Sequence, residues 1–434
     1  MKRSKGNAVF SVIGAASGLG NAFRFPVLCA QYGLVFVAVY AFMLVAVCFP
    51  LLCAELYFGK RVQGGKGEKV WYTILRVATV NSAFIALYYG VICAKLGSTG
   101  ASFAIYAEGE RCGSALFAVA FVLMLVAVFF ALKGGNSVLA RTGKISVISS
   151  LALFTLLAIV GFARGNGLPA LNFSCLAGGA VWADALGQAL LALSLASGIM
   201  PSFARVHRVK VLPASLAIIV CNFIGCVLSV LATAPYIPFI SQTVGVSCGL
   251  ELYNRAVLTV FSGKIARALA GAAVFAVLSL VALHSLCSLA YPIVSKFTGK
   301  NTKAKYLAPA CFCLIAGVLA PLFVYGNLQV LTACDRMACS VTAVIIAFAE
   351  CLFFASQRHI RGAIALFTRF FCPVVTGALV LFSLCSARFD CFSPLATVAA
   401  YISVTAVALA APLPQLTIFA KRFRMNLKRW RAEA

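Results

Sequence analysis

Residues 14–26 read GAASGLGNAFRFP. They lie inside an apolar stretch, yet glycine stands at 14, 18 and 20, and Pro26 closes the segment. Glycine weakens a helix, and unwound backbone at membrane depth persists only inside protein or beside water. A second segment of the same kind, residues 187–198, GQALLALSLASG, interrupts a later apolar stretch. Paired interruptions at corresponding positions read as two five-helix halves around a midplane binding site. The half-helix N-termini would offer free N–H groups to an anion, and the unwound carbonyls would face a cation.

The rest of the chain fits that frame. Of 434 residues, 63% are hydrophobic and 11% charged, against about 25% charged in soluble domains. Such a chain cannot cover its surface with polar groups, which excludes a soluble enzyme, a disordered chain and a disulfide-knotted module. Twelve apolar runs are long enough to cross a bilayer as helices, at 8–30, 34–58, 77–106, 113–133, 145–164, 178–203, 210–236, 266–295, 305–325, 331–356, 362–385 and 394–419. With both termini in the cytoplasm, every cytoplasmic segment is basic, and most of the 36 Lys and Arg fall there. The net charge of +26 therefore encodes topology and contact with anionic lipid, and no nucleic-acid partner is expected. The basic N-terminus followed by an apolar run is read as the first span, since no small-residue cleavage site follows a clean core. The 18 cysteines show no CxxC pair or Cys/His metal spacing, so no transition-metal site is expected. One transmembrane domain is expected: repeats at 8–164 and 178–356, peripheral helices within 362–419, and a basic cytoplasmic tail at 420–434.

Residues 17–26, SGLGNAFRFP, closely resemble the first-span motif of the neurotransmitter:sodium symporter family, whose bacterial members carry amino acids. Residues 49–59, FPLLCAELYFG, look like the family's second-span ending, and the Tyr88-Tyr89 pair sits where its third span has a paired tyrosine. The segment from Gly187-Gln188 to Gly198 is similar to its sixth span, and Asp335 followed by Glu350 to its tenth. The resemblance implies an all-α polytopic membrane protein of the LeuT type: a 5+5 inverted repeat with broken helices 1 and 6, plus two extra C-terminal helices.

It also implies site residues. The substrate carboxylate would meet the Tyr89 hydroxyl and the backbone N–H groups of Leu19 and Gly20, beside Ala15 and Ala16. A desolvated carboxylate wants several fixed donors. Amine-carrying relatives place an aspartate at the position of Ala15, so an α-amino acid is favoured. The side-chain pocket by correspondence is Ile85, Leu191, Ser194, Ser197, Ser285 and Leu289. It holds no acid or base, which favours neutral, mainly apolar side chains. Arg24, Gln188 and Asp335 would form an outer gate. An arginine inside a membrane needs a cavity and a partner.

Two ion sites are implied, and both depart from the pattern. The first would use Ala16, Asn21, Ala192 and Asn222. Ala192 stands where a threonine normally adds a hydroxyl, so this Na+ site keeps fewer oxygens. The second would use Gly14, Ser17, Val281, His284 and Ser285; positions 281, 284 and 285 share a helix face. His284 stands where a threonine is expected, and three readings are open. A protonated imidazole could replace Na+ as a fixed, titratable cation and make transport proton-coupled. A neutral ring could ligate Na+ in a distorted site. Or a buried, satisfied histidine could remove the site. The inner gate is altered too, with Gly299 where relatives carry an aspartate.

The expectation is an ion-coupled secondary transporter that imports a neutral amino acid by alternating access, driven by Na+ or H+. It is not an enzyme and has no organic cofactor. Its partners are the amino acid and the bilayer, in a bacterial inner membrane. The alternative is a non-transporting amino-acid sensor or degenerate paralogue.

Overall fold

A computed structural model describes residues 13–14, 18, 20–61, 68–109, 111, 113–163, 168, 170–207, 210–239, 246–298, 304–324, 329–357 and 363–385. Among these residues every regular element is a helix. The helices are α1 (Phe25–Tyr32, preceded by a π turn Gly20–Arg24), α2 (35–61), α3 (Glu68–Tyr106), α4 (Ser114–Gly134), α5 (Asn136–Ala163), α6 (Gly179–Ala192) and α7 (Ile199–His207). They continue with α8 (Val211–Thr233), α9 (Val246–Val260), α10 (Lys264–Thr298), α11 (Ala304–Val324), α12 (329–355) and α13 (363–385).

Nine helical stretches among the described residues are long and apolar enough to cross a membrane. They match the second to fifth and seventh to eleventh of the twelve expected spans. The first and sixth spans are broken into pieces, each too short to qualify alone. The twelfth, 394–419, lies outside the described residues, as do the tail and the segment around Gly299. Several helices outrun the apolar run that announced them. α3 begins at Glu68, not 77, and α5 at Asn136, not 145. Backbone hydrogen bonding continues past the hydrocarbon edge, where Lys and Arg reach water along their own stems.

Burial separates the helices into a core and a rim. In α3, 72% of the most apolar stretch is buried, against 22% in α4 and 28% in α11. α4 is apolar all round and leaves Val119, Val122, Leu123 and Phe130 exposed, as a lipid-facing helix does. α3 packs most extensively along α10, and between them they carry Ile85, Tyr88, Tyr89, His284 and Ser285.

α9 is an addition to the expected architecture. It lies between the seventh and eighth expected spans, with Leu252, Tyr253, Ala256, Val257 and Val260 buried along one face. The Tyr253 hydroxyl donates to the Ala22 carbonyl at 2.9 Å, fastening α9 to the first break.

Candidate functional site

Both expected breaks are present, and each is held by side chains from its neighbours. Between α6 and α7 the backbone turns through Ser194 (φ 52°), Ala196 (φ 52°) and Gly198 (φ 73°), three left-handed residues in five. A helix cannot continue through that geometry. The freed backbone groups are taken up in turn, as burial demands. The Ala196 amide donates to Glu55 Oε1 of α2 at 2.9 Å, and Ser82 of α3 donates to the Ser197 carbonyl at 2.8 Å. Before α1 the chain passes through the π turn Gly20–Arg24, and π turns concentrate at functional sites. Gln188 Nε2 of α6 donates to the Gly20 carbonyl at 3.0 Å, and Tyr32 donates to Asp184 at 2.6 Å. The two broken helices are thus bonded directly to each other.

Ile85, Leu191, Ser194, Ser197 and Leu289 line one narrow cavity between the α6–α7 break, α3, α10 and α12. Asn81, Ser82, Leu190, Leu195, Ala196, Cys339 and Ala343 complete its described wall and were not anticipated from the sequence, while Ser285 does not line it. Among the described residues no charged side chain lines it. Its hydroxyls are mostly committed to backbone: Ser82 to Ser197 and Ala78, and Ser197 to Ser194. Gly20 faces Leu191. Tyr89 is buried and packs against Tyr88 at 5.5 Å between ring centroids. Its hydroxyl makes no hydrogen bond among the described residues, while Arg24 and Asp335 both lie within electrostatic reach.

The expected outer gate is assembled through intermediaries. Arg24 Nη2 donates to Ser340 Oγ at 2.5 Å, and its Nη1 is buried without a partner. Asp335 accepts from the Tyr88 hydroxyl at 3.0 Å. Among the described residues Arg24 and Asp335 make no direct ion pair, though each lies within electrostatic reach of the other. Ser340, which accepts from Arg24, lies in the π turn Met337–Thr342.

At the first ion site, Asn21 and Asn222 meet: Asn222 Nδ2 donates to Asn21 Oδ1 at 3.3 Å, and Tyr40 holds Asn222 Oδ1 at 2.7 Å. Asn21 Nδ2 is buried and unpaired. Ala192 is buried at the end of α6. At the second site, Ser285 Oγ donates to the Val281 carbonyl at 3.0 Å, and Gly18 packs against Ser285. Ala15, Ala16, Ser17 and Leu19 lie outside the described residues.

His284 is buried against Gly14, both of them residues of the expected second site. Its ring hydrogen-bonds the backbone of Gly14, where a cation ligand was expected. Nδ1 lies 3.2 Å from Thr142 Oγ1, and Nε2 3.4 Å from Ser288 Oγ. The ring is wedged between two glycines. A Cβ on Gly143 would come within 2.9 Å of it, and one on Gly14 within 3.1 Å. Neither Thr142 nor Gly143 was anticipated, since both precede the apolar run at 145.

Residues 2–98 match the profile of the Sodium:neurotransmitter symporter family. Within this part the chain is 44% identical over 93 residues to mouse "Sodium- and chloride-dependent transporter XTRP3A", a match covering 19% of this chain and 15% of that protein. It is 32% identical over 96 residues to rat "Sodium-dependent neutral amino acid transporter SLC6A17", covering 20% and 13% respectively. The matched stretch thus spans under a fifth of these relatives. The fold extends much further. Over 94% of this chain and 99% of the other, it superposes on the crystal structure of MhsT in complex with L-phenylalanine, at a TM-score of 0.66 and 18% identity.

Proposed function

We propose that this chain, which has the LeuT-type fold, is a member of the sodium:neurotransmitter symporter family and an ion-coupled secondary transporter of neutral amino acids. The observation that carries this reading is the cavity at the α6–α7 break, lined among the described residues by no charged side chain, with Leu191 of its wall packed against Gly20. The Tyr89 hydroxyl, which has no hydrogen-bond partner among the described residues, and the unwound backbone would receive the carboxylate. The uncharged wall would accept an apolar side chain, since an ionised one would be buried there without a partner. The names of the relatives matched at the N-terminus, and the phenylalanine held by MhsT, support this substrate class.

Coupling divides between two sites. Asn21 and Asn222 would ligate Na+ with backbone carbonyls of the break, in the fewer-oxygen site left by Ala192. At the second site the reading is that protonated His284 takes the ion's place. Thr142 already directs its proton at the Val138 and Leu139 carbonyls, at 3.0 and 3.1 Å, and so offers the ring a lone pair. A ring facing an acceptor on each nitrogen is suited to carry both N–H groups. Proton occupancy there would tie the Gly14 segment ahead of the first break to α5 and α10, as a bound cation would.

The test is uptake of radiolabelled L-phenylalanine into proteoliposomes under independently imposed Na+ and pH gradients, for the native chain and His284→Thr. The expected result is accumulation driven by both gradients, with the pH-driven part lost in the variant. Accumulation insensitive to the pH gradient would remove His284 from coupling. Saturable binding without accumulation under either gradient would favour the sensor.

A further inference from the structure

We propose that Glu55 and Glu350 together bind a single proton, carried on Glu350, and that this proton holds the α6–α7 break in place. The site is separate from His284 and independent of which amino acid is carried. Glu55 lies on α2 and Glu350 on α12, and both are completely buried. Their carboxyls face each other within hydrogen-bonding range. One oxygen of the four, Glu55 Oε1, has a donor: the Ala196 amide at 2.9 Å. Glu55 Oε2 and both oxygens of Glu350 are buried with no hydrogen-bond partner.

Among the described residues no cation pairs with them, and the interacting titratable neighbours are thiols: Cys48 of α2 and Cys351 of α12, the latter beside Cys372 of α13. α7 contributes the Ala196 side of the break, and its Arg205 is exposed at the far end. Two adjacent buried carboxylates cannot both stay ionised, and the pair resolves the repulsion by sharing one proton. The hydrogen-bond pattern decides which group carries it. Glu55 accepts from an amide and has a second oxygen free to accept, so it is the anion. Glu350 accepts from nothing else and is the acid, donating to Glu55 Oε2. One proton then satisfies two of the three orphaned oxygens.

Ala196 is one of the left-handed residues that make the break, so the proton stands one hydrogen bond away from the unwound backbone. Its loss as pH rises would leave two like charges beneath the break and push α2 from α12. The pair would thereby sense pH without lining the substrate cavity.

The experiment is infrared spectroscopy of the purified full chain, joined to amide hydrogen–deuterium exchange of peptides covering residues 193–198. Neither readout needs a substrate. The native chain is expected to show the carbonyl band of a neutral buried carboxylic acid at neutral pH. The band should shift in D2O and disappear on alkalinisation, and Glu350→Gln should lack it. Glutamine keeps an N–H donor toward Glu55 but cannot ionise. At alkaline pH the break amides of the native chain are therefore expected to exchange at least tenfold faster than those of Glu350→Gln at the same pH. No such band in the native chain overturns the proposal, and that result needs no variant to fold. A band retained in Glu350→Gln, or equal exchange in the two proteins at every pH, also overturns it.

Discussion

At the scale of single residues, Tyr88 and Tyr89 are neighbours in sequence with opposite duties. Tyr88 is tied to Asp335, whereas the Tyr89 hydroxyl is uncommitted among the described residues. Tyr89→Phe is therefore expected to leave thermal stability unchanged. It should weaken amino-acid binding roughly ten- to hundredfold, the worth of one hydrogen bond to a charged acceptor. Tyr88→Phe should instead lower stability by about 1–2 kcal/mol, by leaving Asp335 short of a donor. Equilibrium binding and thermal unfolding in detergent separate the two. Gly143→Ala forms a second residue-scale test. Its methyl would strike the His284 ring, and overpacking of this kind costs about 1–3 kcal/mol. A lowered melting temperature, restored by combining it with His284→Ala, is the expected outcome. The sequence offered His284 as an anomaly against a resemblance. It offered nothing for Gly143, because a lone glycine 141 positions away acquires meaning only when two helices cross.

At the scale of elements, the α6–α7 break depends on backbone that only some residues tolerate. Gly198 holds φ at 73°, and a Cβ there would lie 2.9 Å from Thr79 Oγ1. Gly198→Ala should cost about 1–2 kcal/mol from the left-handed conformation alone. Chemical unfolding would measure that loss, and it should be accompanied by reduced uptake. The breaks were legible because glycine and polar residues stand out against an apolar run. α9 was not, because a search for membrane-length runs passes over 15 residues carrying Glu251 and Arg255. Its spacing of Leu252, Tyr253, Ala256, Val257 and Val260 is nevertheless helical and visible in the sequence. The partner of Arg24 was missed for another reason. A π turn at 337–342 shifts the helical register, and sequence periodicity assumes a regular one.

At the scale of the whole molecule, the two proposed ion sites and the cavity would join the first break, the α6–α7 break, α8 and α10, so ligands that bridge them should stabilise the folded chain as a unit. Sodium together with a neutral amino acid is expected to raise the melting temperature, whereas potassium with the same amino acid should not. At a hundredfold excess over the dissociation constant the gain is about 2.7 kcal/mol. Scanning fluorimetry over a concentration series measures it. The apolar spans were the most legible level of all, nine of the twelve being found among the described residues, since hydropathy acts on the whole chain at once. Packing partners were the least legible, because contact between distant spans follows from their crossing geometry.

The fit of one imidazole between Gly14 and Gly143 also bears on ancestry. A methyl at position 143 would press on the His284 ring at 2.9 Å, and one at position 14 would meet the Gly143 backbone at 2.8 Å. The substitution path of lowest cost therefore acquires the glycines before the histidine, and along it His284 can be lost again by a single change.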